Sequence, residues 1–242
     1  MNLREYQRQK AKREREVPKY RNLCVRCVQP EFSCYCAHIQ SFDPKLQFVI
    51  LIHPIEMKRR IATGRMSHLC LQGSRMIVGQ DYTLNKEVNE IIADPAVHPM
   101  VLYPGVNSLN LTHQSQEKRN EAFSGAKKPV IFVVDGTWAT ARKTMHLSQN
   151  LKSLPRICFT PPGKSLFRVR KQPGVDCYST IEAIHHVLEL LGDRPGYEAA
   201  RGEHAQLLHV FNKMVDRQIE FVRDAFENPR PGAYRRPRNL SL

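Results

Sequence analysis

Apolar positions along the chain fall into short β-branched runs separated by longer stretches with helical spacing. Leu46 to His53, LQFVILIH, and Val130 to Val134, VIFVV, are too short for helices and read as strands buried on both faces. Shorter runs at Met76–Val78, Pro99–Tyr103 and Arg156–Phe159 predict further strands. Between them, helical spacing marks Asn85–Asp94, a weak segment at Glu117–Phe123, the stretch from Ala139 to Leu147, and Ser179–Leu191. The stripe Leu207, Leu208, Phe211, Met214, Val215, Ile219 and Val222 predicts a final helical region over Tyr197–Phe226, with that stripe as core. Strands alternating with helices predict an α/β fold.

One junction carries more chemistry than the others. The Val130–Val134 strand ends at Asp135, and Asp135-Gly136-Thr137-Trp138 makes a turn whose Thr137 hydroxyl is placed to cap the following helix. In α/β sheets, strand-turn-helix junctions present side chains and backbone N–H groups to a crevice outside the strand ends. Leu102-Tyr103-Pro104-Gly105 repeats the arrangement one strand earlier. Ser179 and Glu182 have the S-x-x-E spacing of a capping box, which accounts for both residues structurally.

Charge adds a partner. The chain holds 37 Lys and Arg against 23 Asp and Glu, a formal charge of +14, and its isoelectric point is near 9.7. A polyanion is the natural counterpart. With 41% hydrophobic residues the chain can bury a core. No apolar run approaches the roughly 20 residues of a spanning helix, and the N-terminus lacks the apolar stretch of a signal peptide, so the expected location is cytoplasmic.

Four of seven cysteines fall close together. Cys24, Cys27, Cys34 and Cys36 are spaced to close a tetrahedron around Zn²⁺, with His38 as an alternative fourth ligand. With every position filled by protein, such a zinc is structural. The expected organisation is a basic arm over 1–22, a zinc knuckle over 23–42, a catalytic domain over 43–227 and a basic tail over 228–242, which carries Arg230, Arg235, Arg236 and Arg238.

Two basic loops are candidates for an RNA backbone. Lys58, Arg59, Arg60 and Arg65 flank Thr63-Gly64, and Lys164, Arg168, Arg170 and Lys171 surround Phe167 with no acid among them. Gly163-Lys164-Ser165 is no phosphate loop, because Cys158 stands where its first glycine is required. A G-x-G-x-x-G fingerprint is absent as well.

Taken in order, the four-cysteine knuckle, His53-Pro54-x-Glu56, Thr63-Gly64-Arg65, the DGTW turn and Tyr178-Ser179-Thr180-Ile181-Glu182-Ala183 resemble the DTW-domain family over roughly Leu23 to Phe226. That resemblance implies a SPOUT-like sheet with helices on both faces and a trefoil knot. It also implies a tRNA-uridine aminocarboxypropyltransferase of bacterial type. Such an enzyme moves the 3-amino-3-carboxypropyl group of S-adenosylmethionine to N3 of a uridine in the tRNA variable loop and releases methylthioadenosine. On this reading Asp135, then Glu182, is the candidate acceptor of the N3 proton, with cofactor orientation as the alternative role of Asp135. Leu102, Pro104, Gly105, Asp135, Gly136, Thr137, Trp138, Ser179 and Thr180 are expected to line the donor site. The partner is tRNA, with no membrane and no stable protein partner. The rivals are a SPOUT-like RNA methyltransferase using the same donor and a noncatalytic zinc-dependent RNA-binding protein.

Overall fold

The computed structural model describes residue 5 and residues 22–123, 125–170, 174 and 177–227. Nearly all of the basic arm, Lys171 and the basic tail lie outside the described residues.

Six strands form one sheet: β1 (Gln47–Ile52), β2 (Arg75–Val78), β3 (Val97–Leu102), β4 (Leu109–Asn110), β5 (Lys128–Asp135) and β6 (Arg156–Cys158). Their order is β2-β1-β5-β3-β6-β4, and every pairing is parallel. Central β5 pairs with β1 from Gln47 opposite Val130 to Ile52 opposite Asp135, and with β3 on its other side. Parallel strands require crossovers, and both faces are covered by them as the unbroken apolar runs predict.

Side chains alternate along each strand. Phe48, Met100, Ile131, Val133 and Ile157 join one core layer, whereas Val49, Leu51, Val101, Val130 and Phe132 join the other. The first layer is closed by α1 (Thr63–Cys70), α5 (Thr180–Leu191) and α6 (Ala205–Glu227). The second is closed by α2 (Lys86–Ala93) and α4 (Trp138–Leu147), while polar α3 (Gln116–Phe123) lies between β4 and β5 in the chain and buries no residue.

Local signals explain most element boundaries. Asn85 caps α2 by accepting from the Val88 N–H at 3.0 Å, and Thr137 caps α4 by accepting from Thr140 N–H at 3.2 Å. The Ser179–Glu182 capping box is present at the start of α5. Two expectations are corrected. The last helix begins at Ala205 rather than near Tyr197, because Gly196 and Gly202 turn the chain with φ of 74° and 66°, a region that favours glycine. Thr63-Gly64-Arg65 forms the first turn of α1 rather than an open loop.

The cysteine knuckle is part of the main core. Cys27 and Tyr35 are buried in the layer that holds α1, α5 and α6. Phe32 meets Phe221 of α6 edge-on at 5.1 Å, and the Gln29 amide donates to the Arg60 carbonyl at 2.6 Å. The knuckle therefore props the segment leading into α1.

Candidate functional site

A cavity of about 820 Å³ opens at the carboxyl ends of β3, β5 and β6, where parallel α/β sheets bind ligands. The loop after β3 contributes Leu102, Tyr103 and Pro104; the loop after β5 contributes Asp135 to Trp138; the loop after β6 contributes Cys158, Phe159 and Pro161. Tyr178, Ser179 and Thr180 enter from the start of α5, and Glu56, Ile61 and Thr63 from the segment around α1. Eight of the nine expected donor-site residues thus meet in one place. Gly105 does not line the cavity; it packs against Arg156.

Asp135 is the most constrained of these groups. It is 5% exposed, and its carboxylate accepts from the Thr180 hydroxyl at the head of α5 and from the Gly64 N–H at the head of α1. The N-cap position of α1 is Ala62, which has no capping side chain, so Asp135 supplies from β5 what the helix lacks locally. The contact leaves no room for a larger residue at position 64: a Cβ there would stand 2.6 Å from Asp135 Cγ. Burial raises the Asp135 pKa to about 6 against the help of these donors, and the nearby Glu56 carboxylate adds to the rise.

Glu182, the second candidate, is buried but does not line the cavity. Its two oxygens accept from Ser165 Oγ, Leu166 N–H at 2.6 Å, Ser179 N–H at 2.9 Å and Ser179 Oγ at 2.6 Å. It fastens the Lys164–Arg168 loop to the head of α5.

Among the lining residues not expected at the site, four bring charge or aromatic surface of their own: Glu56, Arg142, Tyr103 and Tyr178. Glu56, 3% exposed and paired with Arg59 at 2.9 Å, adds a second acid. Arg142 adds a cation, and Tyr103 and Tyr178 add aromatic surface. Trp138 is half-buried beside Tyr103, ring centroids 6.4 Å apart, and Phe159 lies 5.8 Å from Tyr178 on the other wall. Glu56, Tyr103 and Tyr178 lie in motifs already noted, but their entry into the cavity, like that of Arg142, depends on which loops the sheet order brings together.

The basic residues separate into three groups. Arg170 lines the cavity, its guanidinium 5.9 Å above the Phe167 ring. Arg60 and Lys164 are exposed, and Arg59 and Arg168 are exposed but paired with Glu56 and Asp216. Arg65 is 3% exposed; its guanidinium donates to the Met57 carbonyl and to the Arg59 carbonyl at 3.2 Å, so it shapes the loop and is not presented to a phosphate.

The four knuckle cysteines fit a metal. Their Sγ atoms all lie within 4.8 Å of one another, with Cys24–Cys36 at 3.7 Å and Cys27–Cys34 at 3.6 Å. A tetrahedron with Zn–S bonds of about 2.3 Å has edges of about 3.8 Å. Backbone N–H groups of Cys27 and Arg26 draw the Cys24 thiol down to about 6, whereas burial pushes Cys27 and Cys36 up. His38 is not in this group; its ring lies 6.2 Å from that of His209.

An all-parallel sheet with helices on both faces, an aromatic-walled cavity at its strand ends and four clustered cysteines together describe an α/β protein whose strand-end cavity is its candidate site and whose cysteine spacing fits a metal. A DTW domain model matches residues 21–219, and the chain belongs to the DTW-domain family. A relative in Drosophila melanogaster, tRNA-uridine aminocarboxypropyltransferase 2, is 28% identical over 187 residues, covering 74% of this chain and 70% of its own. Proteins of the same name in Mus musculus and Macaca fascicularis are 22% and 21% identical, over 90% and 94% of this chain and 75% and 78% of theirs. No solved structure matches the chain significantly. Among the described residues, no helix is long and apolar enough to cross a membrane.

Proposed function

We propose that the protein is a tRNA-uridine aminocarboxypropyltransferase. It transfers the 3-amino-3-carboxypropyl group of S-adenosylmethionine to N3 of a variable-loop uridine. The observation that carries this reading is a buried, cavity-facing Asp135 with its pKa raised to about 6 in the family's defining turn. The relatives' name supports the reaction class.

The donor supplies an activated sulfonium, so the protein has little bond activation to perform. Its task is placement: offering the γ-carbon of the methionyl group, instead of the methyl, in line with N3. The Tyr103–Trp138 and Phe159–Tyr178 walls suit the flat rings of adenine and uracil. Arg142 and Arg170 suit the donor carboxylate, and Glu56 its ammonium group. Asp135 takes the N3 proton as the N3–carbon bond forms; the carbon–sulfur bond breaks and its electron pair leaves on methylthioadenosine. A carboxylate with a pKa near 6 is charged at neutral pH yet more basic than a solvated one.

Zn²⁺ at Cys24, Cys27, Cys34 and Cys36 serves as a structural ion in this reading, holding Gln29 against the Arg60 carbonyl and so the α1 side of the cavity. Arg60, Lys164, Arg168 and Lys171 engage the tRNA backbone. The SPOUT-like assignment and its trefoil knot belong to the same proposal and rest on the family resemblance; an all-parallel sheet with its cavity at the ends of three adjacent strands agrees with the α/β part of it.

Two labels test the reaction. Supplied with unmodified tRNA, donor labelled in its carboxyl carbon should transfer label to the RNA, and donor labelled in its methyl carbon should not. Methyl label on the tRNA would establish a methyltransferase, and neither label a binding protein.

A further inference from the structure

A second cluster of metal-ligating side chains lies outside the cavity and outside the knuckle. His185 and Glu189 stand one turn apart on α5, and His204 immediately precedes α6. The ligand atoms of all three lie within 4.8 Å of one another. His204 Nε2 meets Glu189 Oε1 in a short contact, and His185 Nε2 is 3.8 Å from the same oxygen. None of the three lines the cavity.

We infer that His185, Glu189 and His204 form a second divalent-cation site, of the zinc class, that clips the carboxyl half of α5 to the head of α6. Two imidazoles and one carboxylate suit zinc, for which tetrahedral bonds of about 2.0–2.1 Å place neighbouring ligand atoms roughly 3.3 Å apart. The 3.8 Å contact needs only a small closure to reach that spacing.

The outer layer is built as metal sites require. His204 is 3% exposed, and its other ring nitrogen, Nδ1, lies 2.7 Å from the Tyr197 hydroxyl. A hydrogen bond from Nδ1–H to that oxygen leaves the Nε2 lone pair aimed at the cluster, the tautomer a metal takes. Tyr197 is itself buried and lies 4.3 Å beneath the Arg194 guanidinium, which donates to the Gly192 carbonyl at 2.9 Å and the Pro44 carbonyl at 3.0 Å.

Glu189 is half-exposed at 52%, so the fourth position opens to solvent. A metal here would close the excursion from Gly192 to Gly202, which carries two of the chain's positive-φ glycines besides Gly192 itself. That excursion holds α6 at its correct start.

Metal stoichiometry of the full-length protein tests the inference independently of the transferase reading. Cobalt(II) is the probe, because cysteine ligation gives a strong near-ultraviolet thiolate band and nitrogen–oxygen ligation does not. The thiolate band should saturate at one equivalent, and a second equivalent should bind with visible absorption alone. Glu189→Gln and His185→Ala, at solvent-reachable positions, should each lose the second equivalent and keep the first. Tyr197→Phe should weaken the second site by about 10–100-fold. A wild-type protein that binds one equivalent, or a second equivalent that survives in both Glu189→Gln and His185→Ala, overturns the assignment.

Discussion

Two buried carboxylates stand at neighbouring loop tips and differ in what remains for chemistry. At the start of α5, Glu182 receives two hydroxyl and two backbone N–H donors and does not line the cavity. At the end of β5, Asp135 receives one hydroxyl and one N–H, faces the cavity and has its pKa raised by burial. Saturated hydrogen bonding makes the first a clasp; incomplete compensation for desolvation fits the second to the proton-acceptor role proposed for it. Proximity to a capping motif therefore says little about role, and the number of donors a carboxylate has met says much.

The same substitution separates them. Asp135→Asn preserves size and keeps one acceptor oxygen for Thr180, giving up the acceptor beside Gly64, so the fold and tRNA binding should persist while turnover falls by about 10²–10⁴-fold, the usual worth of a positioned base. Single-turnover label transfer measures the loss; wild-type rates from the variant would place Asp135 among the structural caps. Because the folded pKa lies above the ordinary carboxylate value, Asp135 favours folding below about pH 4 and loses that contribution as pH rises through about 6. Between those limits the variant should gain on the wild type by on the order of 3 kcal/mol, read from paired denaturant titrations. Wild-type turnover should rise as pH passes through about 6, where the folded carboxylate ionises.

Glu182→Gln should do the reverse. It turns one accepting oxygen into a donor that faces other donors, at a cost of about 2–3 kcal/mol in unfolding free energy. Turnover per folded molecule should fall far less than in Asp135→Asn, through loosening of the Lys164–Arg168 loop. A stable variant without activity would move the chemistry toward α5.

Gly64→Ala probes the contact between α1 and Asp135. Alanine suits a helix, yet its Cβ would fall 2.6 Å from Asp135 Cγ, so a favourable helix propensity meets an overpacked contact costing about 1–3 kcal/mol. Turnover should drop with the displacement of Asp135. Unchanged stability and rate would mean that the helix head shifts freely.

Much of this was legible in residue order. The apolar runs at Leu46–His53 and Val130–Val134, the Thr137 cap and the Ser179–Glu182 capping box depend on neighbours within a few positions, and the structure keeps all of them. Glu56 and Arg142 enter the cavity only because β5 lies between β1 and β3, which no local periodicity encodes. Arg65 misleads for the same reason: a basic residue beside Thr63-Gly64 looks exposed until the carbonyls of Met57 and Arg59 fold back on it. Gly64 suggests an open loop in sequence, whereas the requirement for glycine comes from a side chain 71 positions away, at Asp135.

The smallest effect belongs to the rim. Arg168 is exposed and shares its charge with Asp216 of α6, so Arg168→Ala removes one proposed phosphate contact but also frees an acid nearby. The exposed pair itself contributes little stability, about 0–1 kcal/mol. Binding of tRNA should weaken by severalfold, and the slope of log affinity against log salt should lessen by about one ion. Asp216→Asn makes the complementary test, because releasing Arg168 should strengthen binding slightly without altering turnover at saturating tRNA. If neither variant changes the salt slope, Arg168 belongs to the α6 contact and is not part of the RNA path.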